Sequence, residues 1–186
     1  LARLLPGLRA VRVQWDEPAA LGARAAAFDR VGAVRDMVQS HLLQLLATVL
    51  AAAPPEADAK AVRDRRAAAL GRLASPAGRP WVRARYGRGA VAGAEVPAYV
   101  DEPGVDPARG TETFASIGLR LGEADVALVT GKAVRPVRRE VVLDVEGQGL
   151  PSRVVLDLSG PRLVLTEDGL PVPVPGEREH LPASAR

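Results

Sequence analysis

The hydrophobic pattern changes its period along the chain, and this change constrains the fold more than any other feature. Over residues 28–49, apolar side chains recur every three or four positions, which predicts a long amphipathic helix with Asp29 as its N-cap, stopped by Pro54. A second, alanine-rich helix is expected over residues 56–73. Later apolar residues fall in short runs between Gly, Pro and Asp, which is typical of strands. Helices followed by strands predict an α+β fold, with a large antiparallel-type sheet covered on one face by helices.

Strands are expected on both sides of the helical region. Their predicted ranges are 11–15, 81–86, 113–121, 126–129, 139–145, 154–158 and 163–165. Residues 16–23 and 87–107 are rich in glycine or proline and are expected to form loops. One domain is expected over residues 1–168, followed by a proline-rich, poorly ordered tail at 169–186.

Composition argues against several classes of protein. No apolar run approaches the roughly 20 residues that span a bilayer, so no membrane segment is expected. Residues 1–8 lack the basic leader and long apolar stretch of a secretory signal. The chain has no cysteine, which removes disulfides, thiol nucleophiles and zinc–thiolate sites, and no metal site is predicted. A cytoplasmic protein fits these observations.

Charge is distributed unevenly between the two halves of the chain. Residues 1–90 carry 15 basic and 7 acidic side chains, whereas residues 91–186 carry 10 and 15. The arginines of the basic half are dispersed and lack interleaved aromatic residues, so nucleic-acid binding is not expected. Lys60 and Lys132 are the only lysines among 25 basic residues. A lysine retained in so arginine-rich a chain suggests a need for its compact, rotatable charge.

A dinucleotide-binding domain is not predicted. Gly87-Arg88-Gly89 is followed by Ala90-Val91-Ala92, so it lacks the third glycine and the helix of a phosphate-binding loop. No alternation of strands and helices indicates a parallel nucleotide-binding sheet. The chain is therefore expected to have no cofactor-binding residues of its own.

One of only two histidines lies in the long predicted helix. His41 belongs to the segment Arg-Asp-Met-Val-Gln-Ser-His-Leu-Leu-Gln-Leu-Leu at residues 35–46, and its imidazole can exchange a proton near neutral pH. By itself, such a histidine is more often a half-buried structural residue with one hydrogen bond. Asp36 lies five residues earlier, about 140° around an α-helix, so the two side chains are not expected to point squarely at one atom. His180, in the tail, is expected to be solvated.

Five segments match, in order, the motifs of one enzyme family. The longest, Gly-Ala-Val-Arg-Asp-Met-Val-Gln-Ser-His-Leu-Leu-Gln-Leu at residues 32–45, resembles the signature of glucose-6-phosphate dehydrogenases. The others are Asp16-Glu17-Pro18, residues 24–29, residues 96–102 with 111–115, and Thr130-Gly131-Lys132. The chain thus resembles the C-terminal domain of that family, without the N-terminal NADP-binding domain.

The resemblance implies a catalytic role for one residue and substrate-binding roles for three. The family oxidises glucose 6-phosphate to 6-phosphogluconolactone in the pentose phosphate pathway and passes the hydride to NADP. His41 matches the general base, a neutral imidazole that takes the hydroxyl proton. Glu17 and Asp36 match carboxylates that hold sugar hydroxyls, and Lys132 matches a substrate-contacting lysine. Without the family, each of these three would be interpreted as a solvated charge.

The departures from the family pattern affect what the chain can do alone. Ser40 stands where asparagine is usual, residues 122–129 are shorter than their counterpart, and residues 25–27 lack the usual aromatic. The segment Arg-Ile-Asp-His-Tyr-Leu-Gly-Lys is absent, and it supplies phosphate-binding residues and the aspartate that orients the base. The isolated chain is therefore expected to be inactive.

The resemblance also implies the partners of the chain. They are glucose 6-phosphate, an N-terminal nucleotide-binding domain that holds NADP, and a second copy that associates through the large sheet to form a dimer. Retention of His41, Asp36, Glu17 and Lys132 favours a catalytic domain. The shortened region after residue 122 and the unusual tail leave an alternative, a non-catalytic dimerisation or regulatory module derived from the same family.

Overall fold

A nine-stranded mixed sheet dominates the molecule. The structure is a computed structural model, and it describes residues 4–51, 58–76, 78, 81–91, 93–147, 149, 152–160, 162–167 and 170–172. The strands are β1 Leu8–Glu17, β2 Leu73–Ala74, β3 Val82–Ala84, β4 Gly89–Val91, β5 Ala94–Val96, β6 Phe114–Leu121, β7 Ala124–Lys132, β8 Arg139–Val145, β9 Arg153–Asp157, β10 Arg162–Glu167 and β11 Leu170–Val172. Their order is β11-β10-β9-β8-β1-β7-β6-β2, with β3 also beside β6, while β4 and β5 form a separate hairpin.

The helices come from the first half of the chain. They are α1 Ala25–Phe28, a π-helical segment Val34–Leu42 that continues as α2 Leu43–Leu50, and α3 Ala59–Leu70. Single 3-10 turns lie at Leu5–Gly7, Gly22–Arg24, Tyr99–Asp101 and Pro107–Arg109. The predicted α+β class is confirmed, because the helices precede most of the sheet and pack on one of its faces.

Alternation along the central strands sorts side chains between the two faces of the sheet. Val11 and Val13 of β1 are buried, as are their neighbours in register, Val126 and Leu128 of β7. Leu42 and Leu46 of the long helix are fully buried in the same core cluster. This single apolar layer between helix and sheet holds the long helix across the sheet, and each fully buried leucine contributes about 1.5–3 kcal/mol.

One strand pair runs parallel, in contrast to all the others. β1 pairs with β7 in the parallel sense, and its final residue, Glu17, lies opposite Lys132, the final residue of β7. On its other side β1 pairs antiparallel with β8. Parallel neighbours end at the same edge of a sheet, so residues far apart in sequence are brought together there.

Several element boundaries differ from those predicted. β1 continues through Glu17, so residues 16 and 17 belong to the strand and not to the following loop. The long helix begins at Val34, and Asp29 is the C-cap of α1 instead of an N-cap. β11 pairs with β10 beyond residue 168. The tail at 173–186 lies outside the described residues, so the predicted domain boundary stays a prediction.

Candidate functional site

The paired ends of β1 and β7 place an acid beside a lysine. Glu17 and Lys132 are neighbours in register although they lie 115 residues apart in sequence. The backbone stays paired beyond the strands, because Val134 N–H donates to the Glu17 carbonyl at 3.2 Å and Ala133 N–H donates to the Ala19 carbonyl at 3.1 Å. The two chain segments leave the sheet side by side and hold this corner in place.

Lys132 is a buried cation bound by two carboxylates. Its side chain is only 4% exposed, and its Nζ donates to Glu17 Oε1 and, at 2.9 Å, to Asp36 Oδ2. The ring centroid of Phe28 lies 5.3 Å from Nζ. A buried ammonium group is costly unless it is paired, and removing its partners would cost roughly 3–5 kcal/mol. The cluster Glu17–Lys132–Asp36 is therefore a preorganised polar site with one net negative charge.

The π-helical segment places the His41 ring against the main chain of Asp36, a contact that the expected α-helical angle of 140° did not predict. That expectation assumed α-helical geometry, whereas this segment is hydrogen-bonded from residue i to i+5, as in the bond from Leu43 N–H to the Val38 carbonyl. His41 Nδ1 lies 3.1 Å from the carbonyl oxygen of Asp36. Residues five apart thus share one face of this helix, and π-helical turns often occur at functional sites.

The imidazole and the lysine cluster differ in exposure. His41 is exposed to solvent, whereas Lys132 is buried and the Asp36 side chain, 39% exposed, lies between these extremes. Asp36 therefore links the two parts: its carboxylate binds Lys132, and its carbonyl oxygen contacts the His41 ring. The four residues predicted to form the site thus belong to one connected set of contacts.

Glu112 anchors the start of the helix that carries this site. Its Oε1 accepts from Val34 N–H at 2.9 Å, and its carbonyl accepts from Ala33 N–H at 3.0 Å. A carboxylate at a helix N-terminus satisfies N–H groups that have no partner within the helix. Gly32 precedes these groups with φ +75°, and a Cβ there would lie 2.7 Å from Glu112 Oε1. Both features hold the helix start against the loop at residue 112.

Close packing around Lys132 explains the glycine that precedes it. A Cβ at Gly131 would lie 2.5 Å from Val134 Cγ2 and 2.9 Å from Phe114 Cδ2. Ala133, directly after the lysine, has φ 56°, a left-handed conformation that costs a residue with a Cβ roughly 1–2 kcal/mol. The Thr-Gly-Lys segment is thus the closely packed end of β7, and the chain bends directly after it at Ala133, next to the contact of Lys132 with its two acids.

Sequence reasoning missed two residues that contact this site. Ser40 Oγ lies 2.7 Å from His41 Nδ1, although the sequence marked Ser40 only as a departure from the family. Glu112 was noted only as part of a motif, and its contact with the helix start spans 78 residues. The adjacency of serine and histidine was a visible signal for the first contact, whereas no local pattern could reveal the second.

Neither the glycine loop typical of dinucleotide sites nor a cluster of metal-binding side chains is seen among the described residues. β1 leads into a 3-10 turn at Gly22–Arg24 and not into a glycine loop opening a long helix. Within these residues no group of three or more metal-binding side chains occurs. In the same part of the chain, no helix is both long and apolar enough to cross a membrane.

The sequence that forms this site matches one known protein family. The profile described as "Glucose-6-phosphate dehydrogenase, C-terminal domain" matches residues 7–148, which include the whole cluster. The chain belongs to this family. The resemblance inferred from the five motifs is thereby confirmed, and the match begins just before β1 and extends past the end of β8.

Curated relatives and solved structures support this assignment and show how much of the family protein is spanned. Glucose-6-phosphate 1-dehydrogenase of Gluconobacter oxydans is 40% identical over 114 residues, which is 59% of this chain and 23% of that protein. The enzyme of Rhizobium meliloti is 38% identical over 144 residues, 72% of this chain and 29% of that protein.

Two solved structures share the fold. A glucose-6-phosphate dehydrogenase in complex with its substrate glucose-6-phosphate superposes with TM-score 0.72 and 25% identity, over 86% of this chain and 35% of that one. The Mycobacterium avium enzyme has TM-score 0.71 and 29% identity, over 89% and 38%. The chain therefore spans less than two fifths of the length of each of these four relatives.

Proposed function

We propose that this chain is the substrate-binding and catalytic part of an NADP-dependent glucose-6-phosphate dehydrogenase, with His41 as the general base. The observation that carries the proposal is the connected set of Glu17, Lys132, Asp36 and His41 at the common end of β1 and β7. Family membership supplies the reaction class, and the relatives' name supplies the substrate. The chain then oxidises glucose 6-phosphate to its lactone only as part of a larger enzyme.

Each residue has a separate task in this proposal. Two of the three Lys132 N–H groups bind Glu17 and Asp36, and no bond to the third is seen within the described residues, so it is offered to the sugar. The carboxylates accept hydrogen bonds from sugar hydroxyls and fix the orientation of the ring. His41, exposed and in contact with Asp36, takes the proton of the hydroxyl that is oxidised. Charge pairing inside the cluster keeps these groups in place before substrate arrives.

β1 leads into a 3-10 turn and not into a glycine loop opening a long helix, so no step is assigned to NADP on this chain. We place the hydride acceptor on a nucleotide-binding domain outside it, in keeping with the small share of the relatives' length that the chain spans. The purified chain, mixed with glucose 6-phosphate and NADP, is expected to give no increase in absorbance from reduced cofactor. Robust reduction would contradict this assignment.

Substrate binding by the chain itself provides the direct test of the proposal. Titration of the isotopically labelled chain with glucose 6-phosphate is expected to shift the backbone resonances of Asp36, His41 and Lys132 in a saturable manner. Inorganic phosphate and free glucose serve as ligand controls, and the Arg9–Glu146 pair, which lies at the opposite end of β1, serves as the internal control. Equal shifts with phosphate alone, or none at the three residues, would contradict the proposal.

Self-association through the uncovered face of the sheet completes the proposal. A groove of about 700 Å³ crosses this face, and small or apolar residues such as Gly118, Ala127 and Val142 line it together with charges of both signs. Such a surface suits a second copy of itself. Val142→Glu is expected to convert a dimer to a monomer in analytical ultracentrifugation, whereas Glu123→Gln, on an exposed turn, is expected to leave the mass unchanged.

A further inference from the structure

Three polar atoms beside the helix form a closed triangle of contacts. Ser40 Oγ lies 2.7 Å from His41 Nδ1, and Nδ1 lies 3.1 Å from the Asp36 carbonyl oxygen. Ser40 Oγ also donates to that carbonyl oxygen, which completes the third side. All three distances are short enough that each contact must be a hydrogen bond or a repulsion between lone pairs.

The available protons allow one favourable arrangement of this triangle. A carbonyl oxygen can only accept, so both the serine hydroxyl and Nδ1 must direct a hydrogen towards Asp36. The hydroxyl has one proton, and it is used on the carbonyl, so Ser40 Oγ presents a lone pair to the ring. Only an Nδ1–H group satisfies both neighbours. With a bare Nδ1, at least one side of the triangle would join two lone pairs.

We infer that Ser40 is a positioning residue, which acts with the main chain of Asp36 to hold neutral His41 in the Nδ1–H tautomer. The basic nitrogen is then Nε2. This opposes the intrinsic preference of an unconstrained histidine side chain, which carries its proton on Nε2. The inference rests on the proposed function only for its catalytic meaning, because the tautomer is a property of the chain alone.

The triangle of contacts depends on the π-helical geometry of this segment. In an α-helix the carbonyl of Asp36 would bond the residue four positions later, and a residue five positions later would lie about 140° away. The wider turn places the His41 ring against that carbonyl, while the Ser40 hydroxyl makes the i−4 bond common for serine in helices. A purely structural Ser40 would need only that second bond and would leave the ring free to choose its tautomer.

The consequence concerns how the base is prepared. The proposed base needs one ring nitrogen free to accept a proton, and fixing the proton on the other nitrogen selects which one. Ser40 stands where asparagine is usual in the family, so this triangle is a feature of this chain's own residues. The imidazole is thus set before any part of the enzyme outside the chain contributes an orienting group.

Nitrogen NMR of the isolated chain, without substrate or cofactor, tests the inference. The chain is labelled at histidine nitrogens and observed at about pH 8.5, two units above the ordinary imidazole pKa of about 6.5, so that the neutral ring dominates. His180→Ala identifies the resonances of His41. The wild-type spectrum is expected to show a protonated Nδ1 and a bare Nε2, and a dominant Nε2–H form would overturn the inference.

Substitution of Ser40 separates its role from that of the carbonyl. Ser40→Ala is expected to lower the ratio of Nδ1–H to Nε2–H about fivefold, the value of one net hydrogen bond. Ser40→Thr keeps the hydroxyl and is expected to restore the wild-type ratio. An unchanged ratio in Ser40→Ala would overturn the role of Ser40, provided that circular dichroism shows an intact fold. Glucose 6-phosphate binding measured separately shows whether the proposed function fails independently of the tautomer.

Discussion

Two buried aspartates have pKa values that are shifted in opposite directions. Asp29, at the end of α1, is 2% exposed, and Asp16, near the end of β1, is fully buried. Asp29 Oδ1 accepts from Tyr99 Oη at 2.8 Å, and Oδ2 accepts from Asp106 N–H at 3.1 Å and from Arg109 Nη1 at 3.0 Å. Burial alone raises the pKa of Asp29, but these donors outweigh it and hold the pKa below its usual value.

Asp16 has fewer donors for the same degree of burial. Its Oδ2 accepts from Gln14 Nε2 at 2.7 Å and from Arg138 N–H at 3.3 Å, while its Oδ1 is buried with no partner among the described residues. Burial dominates here and raises the pKa of Asp16, against the bonds from Gln14 and Arg138. Hydrogen-bond donors to both carboxylate oxygens, more than the depth of burial, therefore decide whether a buried carboxylate charge is favourable.

The largest effect is expected at the better satisfied acid. Asp29→Asn replaces one acceptor oxygen by a donor group that faces existing donors, and it leaves Arg109 without its buried partner. A loss of about 2–4 kcal/mol in the free energy of unfolding is expected at neutral pH. Urea denaturation measures it. Asp101→Asn, in an exposed contact 3.9 Å from Arg88, is the matched control and should change stability by less than about 1 kcal/mol.

A smaller effect is expected when one donor of Asp29 is removed. Tyr99→Phe deletes the hydroxyl that binds Oδ1, so stability should fall by about 1 kcal/mol and the pKa of Asp29 should rise. Carboxyl-carbon NMR follows that titration. Tyr86→Phe is the matched control, since the Tyr86 hydroxyl binds Glu102 instead. An equal rise of the Asp29 pKa in both variants would show that the direct bond is not the cause.

At Asp16 the same replacement of aspartate by asparagine should stabilise the protein instead of destabilising it. Asp16→Asn removes a buried charge whose Oδ1 has no described donor, and the amide oxygen can still accept from Gln14 and Arg138. A gain of about 0.5–1 kcal/mol is expected in the free energy of unfolding at neutral pH. Destabilisation comparable with that of Asp29→Asn would refute the contrast between the two acids.

The smallest expected effect is the pH dependence of the stabilisation produced by Asp16→Asn. The pKa of Asp16 is raised above 3.8 in the folded protein, so the carboxyl favours folding fully below 3.8 and loses this contribution as pH rises through the folded pKa. The pKa of Asp29 is lowered, so its contribution is present above 3.8 and lost as pH falls through the folded value. The gain from Asp16→Asn should therefore vanish at acid pH in urea titrations, while the loss from Asp29→Asn shrinks there.

Sequence patterns predicted the elements better than their contacts. The period of apolar residues encodes which face of a helix or strand is buried, so the long helix and the strand over 139–145 were recognisable. It does not encode whether a helix is bonded from i to i+4 or to i+5, since apolar residues four apart fit either. The relation of Asp36 to His41 therefore could not be derived from spacing.

The candidate site shows the same division between local and distant information. Motifs selected Glu17, Asp36 and Lys132 as a group, and the structure places them in contact. The partners of Asp29 lie 70 to 82 residues away, and no single-sequence pattern connects them. A local rule therefore assigned Asp29 to a helix N-cap, whereas the distant tyrosine and arginine determine its role.

The central position of β1 has a consequence for folding during translation. Glu17 is synthesised 115 residues before Lys132, its neighbour in the parallel pair. At about 5–20 residues per second, roughly 6–23 s pass between the synthesis of Glu17 and that of Lys132, so β1 cannot pair fully with β7 before then. During this interval its apolar residues, such as Val11 and Val13, lack their neighbours in β7. Synonymous codons that slow translation between β1 and β7 would lengthen this vulnerable period and should lower the yield of folded protein without altering one amino acid.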